Sequence, residues 1–269
     1  MRLQTVPAGR GALWVRQGFR AFYKHPMAFA ALFATFMFAV FVLALVPLIG
    51  PLLVLALLPL VSIGFMIATR TVVEGGAPTP RVFIEPLRGQ RSRVVAMLQL
   101  GLIYAVATFA VMWLSDLVDG GAFDALMQTL PSGQAASDEA ALQLGAPSLL
   151  FGLLLRFGLA GLLSVPFWHA PALVYWDGQG SAQALFSSTL ACWRNRAAFT
   201  VYSLVWFALI VAFGVVGSLL FALLGQARLF AVAAVPMSLM FTTVFYVSLY
   251  FTFADCFVAT EAAPTALAA

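Results

Sequence analysis

Six long apolar segments dominate the chain, and each approaches the roughly 20 residues that a helix needs to cross a bilayer. Their bounds are Met27–Pro47, Leu52–Thr69, Val95–Leu117, Pro147–Trp168, Ala197–Leu224 and Phe230–Phe253. Between the first two there is room only for a tight turn. Pro59, Pro166 and the nearby Pro171 predict kinks, because proline removes a backbone hydrogen bond from a helix. The pattern therefore predicts an all-α integral membrane protein of about six transmembrane helices.

The loops between these segments differ in charge. Twelve of the 14 lysines and arginines would lie on one side of the membrane. They are Arg2, Arg10, Arg16, Arg20, Lys24, Arg70, Arg81, Arg88, Arg91, Arg93, Arg194 and Arg196. The other side would hold Arg228 and an acidic loop. Because basic loops stay in the cytoplasm, we expect both termini there.

This topology makes residues 1–269 a single polytopic membrane domain. It comprises a cytoplasmic amphipathic arm (1–26), a periplasmic loop (118–146), a cytoplasmic tail (254–269) and the helices between them. Hydrophobic residues make up 63% of the chain and charged residues 9%, against about 25% charged in a soluble protein. The first apolar run begins near Met27, after several basic residues, which favours a retained anchor over a cleaved signal. We expect a multi-pass protein of the bacterial inner membrane.

An internal repeat is suggested when the chain is shifted by 103 residues. Gly75 then aligns with Gly178, and Arg93 aligns with Arg196. A weaker copy places Ala21–Lys24 over the residues that end at Arg194. We predict up to three parallel units, each an amphipathic segment followed by two transmembrane helices, unlike the inverted repeats of many transporters. Chance matching among apolar stretches is the alternative.

The arm before the first segment is amphipathic. At helical spacing Trp14 lies on one face, and Arg16, Arg20 and Lys24 lie nearly opposite. Such a helix lies in the headgroup plane, so these four residues are candidate lipid contacts, with anionic phospholipid attracted by about 1 kcal/mol per basic residue. Either it only sets the topology, or it is a lipid- or partner-binding surface. The basic charge follows the membrane face, which predicts lipid rather than nucleic acid.

Arg156 is the most unusual residue of the apolar segments. It lies about nine residues into the fourth, or roughly 12–14 Å deep and near the bilayer middle. Inserting a guanidinium there costs at least ~2.5–3.5 kcal/mol. Arg156 therefore needs a counterion, a water-filled cavity or a side-chain conformation that reaches the membrane surface. Asp116 and Asp119 are the nearest counterions. The three residues form either an intramembrane anion or headgroup site or a structural ion pair.

Other polar residues carry weaker signals. His169 beside a tryptophan is either a proton relay or a residue of the aromatic belt, and Asp255 either pairs with a cytoplasmic arginine or serves a pathway. Ser188 and its neighbours have no histidine–acid pair, which favours packing. Cys192 and Cys256 would be reduced and too few for zinc. We expect no catalytic residue, cofactor or metal, because phosphate-cradle, nucleotide and metalloprotease motifs are absent from the sequence.

Several segments together resemble a family of uncharacterised six-helix inner-membrane proteins of proteobacteria. They are Leu3–Gly11, Trp14–Phe19, Val165–Val174, Phe186–Arg196 and Phe245–Asp255. A looser similarity to YciC-like bacterial membrane proteins of unknown function rests on Asp177-Gly178, on Ala184 to Ser188 and on Arg194 to Arg196. The resemblance implies location and topology but no activity.

Two classes of function remain open. The first is a non-enzymatic protein that transports or handles a small or amphiphilic molecule, favoured by Arg156, the helix prolines and the repeat. The second is a scaffold or assembly partner of another membrane complex, which would use the cytoplasmic segments and the periplasmic loop for docking. A polar cavity that reaches Arg156 would favour transport.

Overall fold

The structure is a computed structural model that describes residues 1–121, 123 and 147–258. Within this part the longer helices, in chain order, are α1 (Arg10–Lys24), α2 (Pro26–Ala44), α3 (Gly50–Val73), α4 (Arg91–Asp119), α5 (Pro147–Phe167), α6 (Ser181–Arg194), α7 (Arg196–Leu223) and α8 (Ala227–Cys256). Two short strands, β1 (Arg2–Leu3) and β2 (Phe257–Val258), pair antiparallel. Two 3₁₀ turns, Pro80–Phe83 and Glu85–Leu87, lie between α3 and α4.

Six of the described helices are long and apolar enough to cross a membrane: α2, α3, α4, α5 with its continuation to Asp177, α7 and α8. The predicted all-α membrane fold is therefore confirmed, and the predicted bounds agree with the observed ones to within about one helical turn. α4 runs to Asp119 and so enters the predicted periplasmic loop. α8 and β2 occupy the beginning of the predicted cytoplasmic tail. Residues 122, 124–146 and 259–269 lie outside the described part.

α3 and α8 form the centre of the bundle. α3 packs against α2, α4 and α8, whereas α8 also packs against α1 and α7. Ile63, Phe65 and Met66 on α3 are fully buried, as are Val244 and Val247 on α8. The outer helices expose large apolar side chains along their outward faces, which suits contact with lipid tails.

The amphipathic arm forms the predicted helix α1, but its apolar face is covered by protein. α1 packs against α7 and α8, and Trp14 is fully buried against the rings of Phe199 and Tyr202. The expected lipid contact of Trp14 is therefore wrong, because a side chain with no exposed surface cannot reach lipid. The basic side chains on the opposite face of α1, Arg16, Arg20 and Lys24, are exposed as predicted.

The fourth span is interrupted where prolines predicted a kink. α5 ends at Phe167, one residue after Pro166, and a helical turn over Ala170–Ala172 and a π-helical turn over Leu173–Asp177 complete the span. The break leaves backbone groups without helical partners. The N–H of His169 donates to Ser188 Oγ at 3.0 Å, and that hydroxyl donates to the carbonyl of Val165 at 3.0 Å. Ser188 thus has the packing role that its sequence context favoured.

The repeat is visible in part of the element order. α1 and α6 each end two residues before a transmembrane helix begins, at Lys24 before Pro26 and at Arg194 before Arg196. Gly75 and Gly178, which align in sequence, both have positive φ, at 90° and 70°. The linker of the second unit, however, forms two 3₁₀ turns in place of an amphipathic helix. The arrangement in three parallel units stays a prediction.

We expect Gly11→Ala to destabilise the protein, because α1 approaches α7 too closely for a side chain. A Cβ at Gly11 would lie 2.1 Å from the carbonyl oxygen of Ala198, so backbone would have to move, at about 1–3 kcal/mol. Gly9→Ala is the matched control, because a Cβ there meets nothing within 4 Å. Thermal unfolding in detergent measures both variants. Equal unfolding temperatures for both would contradict this packing.

Candidate functional site

The structure brings together the three residues of the predicted intramembrane site. The guanidinium of Arg156 donates a hydrogen bond to Asp116 and lies 3.9 Å from Asp119 Oδ2. The side chain of Arg156 is 11% exposed, and that of Asp119 is not exposed at all. The guanidinium carbon also lies 4.0 Å from the ring centroid of Phe123, within cation–π distance. One cation thus faces two carboxylates, which suits a structural ion pair.

The close approach of α4 and α5 positions this cluster. A Cβ at Gly152, one turn before Arg156, would lie 2.4 Å from Cβ of Asp119, so only glycine fits. Asp116 and Asp119 form the last turn of α4, whose 29 residues extend about 43 Å, beyond the roughly 30 Å apolar core. Arg156 is level with that turn, because it contacts Asp116 and Asp119. Its expected depth near the bilayer middle stays a prediction.

A second ion pair joins the two ends of the described chain. Arg10 donates to both carboxylate oxygens of Asp255, at 2.7 and 2.6 Å, and Trp14 Nε1 donates to Oδ2 at 2.5 Å. Asp255 therefore has the arginine partner that was one of its two predicted roles. The pairing of Arg2 with Val258 lies on the same side. This cluster fixes α1 to the end of α8 and is structural.

His169 lies in the interior. Its ring is fully buried among the rings of Phe199, Phe253 and Phe257, and Nε2 lies 3.2 Å from Thr252 Oγ1. Its interpretation as a residue of the aromatic belt at the membrane surface is wrong, because no part of the side chain is exposed. With its N–H bound to Ser188, the residue fixes the break in the fourth span to α6 and α8.

The two cysteines are free and buried. Burial raises the pKa of the Cys192 thiol to about 12, so this thiol is protonated and unreactive at neutral pH. In the described part of the chain, no three His, Cys, Asp or Glu side chains come close enough to hold a metal ion.

A groove opens between α5, α6 and α7 and faces the surroundings of the bundle. We call it the lateral groove; its volume is about 600 Å³. Most of its wall is apolar, with Trp168, Phe199, Leu204 and Phe207, and its polar side chains include Thr189, Arg196, Thr200 and Ser203. The sequence pattern placed Arg196 on the basic side of the membrane but did not predict a groove there.

The lateral groove has a charged end and an apolar end. Arg196 is the first residue of α7, and Phe207 lies 11 residues further on, or about 16 Å along the axis. In the described part of the chain, no carboxylate lies within 4.0 Å of the Arg196 guanidinium, which lies 5.7 Å from the ring of Trp193. The guanidinium of Arg196, which has no acidic partner among the described residues, thus lies at the opening of an apolar groove.

A smaller cavity of about 140 Å³ lies behind the groove, between α3, α4, α5 and α8. Ser164 and Trp168 line both spaces and separate them. Arg156 lines neither of these two spaces. Neither is therefore the polar cavity at Arg156 that would have favoured transport.

Over 260 residues, which are 96% of this chain and 94% of the other, the sequence is 36% identical to a probable inner membrane protein of Burkholderia thailandensis. No known protein-family model matches the chain, and no solved structure matches it. The similarity covers nearly the whole chain and agrees with the predicted resemblance to inner-membrane proteins. The looser similarity to YciC-like proteins finds no support in these comparisons.

We expect Arg156→Leu to destabilise the fold by about 3 kcal/mol, because it leaves the buried carboxylate of Asp119 without its cation. Adding Asp119→Asn should restore part of the loss, since the amide is uncharged and keeps an oxygen for the N–H of Gly121. Unfolding temperatures of the single and double variants measure this coupling. An unchanged or more stable single variant would show that the pair is not structural.

Proposed function

The chain belongs to the family of this probable inner membrane protein, and from that premise we propose that it handles an amphiphilic molecule, a membrane phospholipid, in the lateral groove. The groove is open and mostly apolar, with Arg196 at one end, and this geometry carries the proposal. It favours binding over catalysis, because the polar groups that line the groove are hydroxyls, two indoles, one arginine and the protonated thiol of Cys192.

The dimensions of the lateral groove suit one acyl chain of one leaflet. Its length of about 16 Å is half of the roughly 30 Å hydrocarbon core. Its volume of about 600 Å³ is within the range of ligand pockets, roughly 300–1,000 Å³. Leu204 and Phe207 are 59% and 67% exposed, so the apolar end of the groove opens sideways to the bilayer. An acyl chain could enter there without crossing the protein.

The charged end of the groove suits the headgroup. Arg196 presents a guanidinium that can bind a phosphate oxygen pair in a fork, and Trp193 places an exposed indole at the same level. A basic side chain beside an exposed tryptophan is typical of the boundary between headgroups and acyl chains.

We further propose that this end faces the cytoplasm. β1 and β2 pair the N-terminal arm with the end of α8, and the side-chain amide of Asn195, between α6 and α7, donates to the carbonyl of Gln4, so these parts lie on one side. Because most basic residues belong to that side, the positive-inside rule makes it cytoplasmic. Arg16, Arg20 and Lys24, exposed on α1, would contact anionic headgroups around the groove.

We expect Gly161→Phe to displace the bound phospholipid. Gly161 lines the groove, and a Cβ there meets nothing within 4 Å, so the ring would fill the groove without a clash inside the protein. Gly158→Phe on the same helix also meets open space but does not line the groove, and it should leave binding unchanged. Native mass spectrometry after gentle detergent extraction would count the lipids that each protein retains.

Arg196→Gln should reduce retention of anionic more than of zwitterionic phospholipid, because it removes only the charge. Arg194→Gln is the matched control, two residues away, exposed and outside the groove. Equal lipid retention in all variants would contradict the proposal. A protein partner that co-purifies in a fixed ratio, whatever the groove holds, would instead favour the scaffold function.

Fusing a cytoplasm-active reporter and a periplasm-active reporter to the C-terminus tests the orientation. We expect activity only from the cytoplasmic one, because the basic side is retained there. Activity from the periplasmic reporter would reverse the leaflet assigned to the groove.

A further inference from the structure

Another cavity, distinct from the lateral groove and from the smaller cavity behind it, lies on the basic side of the bundle. We call it the arginine cavity; its volume is about 450 Å³. It lies where α3 ends, α4 begins and the fourth span ends. The side chains of its wall are Arg70, Glu85, Arg88, Arg93, Tyr175 and Trp176. It shares no residue with the lateral groove.

The carboxylates near this cavity are already occupied. Glu74 accepts a hydrogen bond from Arg70 Nε at 2.8 Å, and Glu85 accepts one from the hydroxyl of Tyr175. In the described part of the chain, Arg88 and Arg93 have no carboxylate within 4.0 Å. Three guanidiniums therefore face one lining carboxylate, and the cavity keeps a net positive charge.

Arg93 is fixed at the wall of the cavity. Its NH1 donates to the carbonyl of Tyr175 at 3.4 Å, and its guanidinium lies against Gly178, 3.5 Å from the position of a Cβ there. Arg88 makes no side-chain hydrogen bond in the described part and is exposed. The cavity thus has one positioned guanidinium and one that is free to move onto a ligand.

The start of α4 adds a further positive element. This helix begins at Arg91, directly after Gly89, which also lines the cavity, and Gln90. Its N-cap makes no side-chain hydrogen bond, and its first turn holds no acidic residue. The free N–H groups and the positive end of a long helix favour an anion at this place.

We propose that the arginine cavity binds a phosphate group. Arg88 and Arg93 would hold its oxygens through charge-assisted hydrogen bonds, and the start of α4 would contribute its amide groups. The aromatic rings of Tyr175 and Trp176 line the same wall and would contact the rest of the molecule. The phosphate comes either from a soluble molecule or from a phospholipid headgroup, since the chemistry is the same.

Two arms of one experiment separate these sources. In the first, the full chain in an uncharged detergent is titrated with inorganic phosphate at constant ionic strength, with chloride as the reference anion. In the second, the chain is reconstituted into nanodiscs of phosphatidylcholine with or without phosphatidic acid, and retained lipid is counted by mass spectrometry. Arg88→Gln is the test variant, because its side chain has no hydrogen bond to lose. Arg91→Gln is the control, exposed and outside the cavity wall.

Binding that Arg88→Gln weakens by about tenfold and Arg91→Gln leaves unchanged supports the site. If that pattern is found with inorganic phosphate, the ligand is a soluble phosphate compound; if only with phosphatidic acid, it is a headgroup. No binding in either arm, or equal weakening by both variants, would overturn the proposal. Gly161→Phe should have no effect here, so failure of this site is distinguishable from failure of the lateral groove.

Discussion

No water is available inside a bilayer to satisfy polar groups, and the architecture of this protein depends on meeting that constraint with its own side chains. At the break in the fourth span, Ser188 bonds to groups that a continuous helix would have satisfied. Arg156 finds carboxylates near the end of α4. The break in the fourth span and the charge of Arg156 are thus both fixed to neighbouring helices, so these polar groups also determine how the helices pack.

The lateral groove follows from that packing. α7 is attached to α1 through the close contact at Gly11 and the buried ring of Trp14, and α1 is attached to α8 through the close contact at Gly18. α5 instead packs against α4 and α6. The two helices are therefore held by different partners, and the space between them stays open to the bilayer.

The apolar segments predicted the six spans because a helix in lipid must be long and apolar throughout, and prolines predicted the break near Pro166. The partner of Arg156 was also predictable, since few acidic residues were within reach. The burial of Trp14 was not, because the sequence shows an apolar face without showing whether lipid or protein covers it. The lateral groove was likewise missed. A groove forms where two helices do not touch, whereas hydrophobic periodicity shows only which face of each helix is apolar.

The position of α1 sets an order on the assembly of the molecule. Its apolar face is completed by α7 and α8, and the carboxylate that receives Arg10 and Trp14 belongs to the last turn of α8. While the chain is being made, the docking surface of α1 therefore stays incomplete until α8 has been inserted. During that interval the membrane surface must shelter the Trp14 indole, and the contacts of α1 are completed only once α8 is in place.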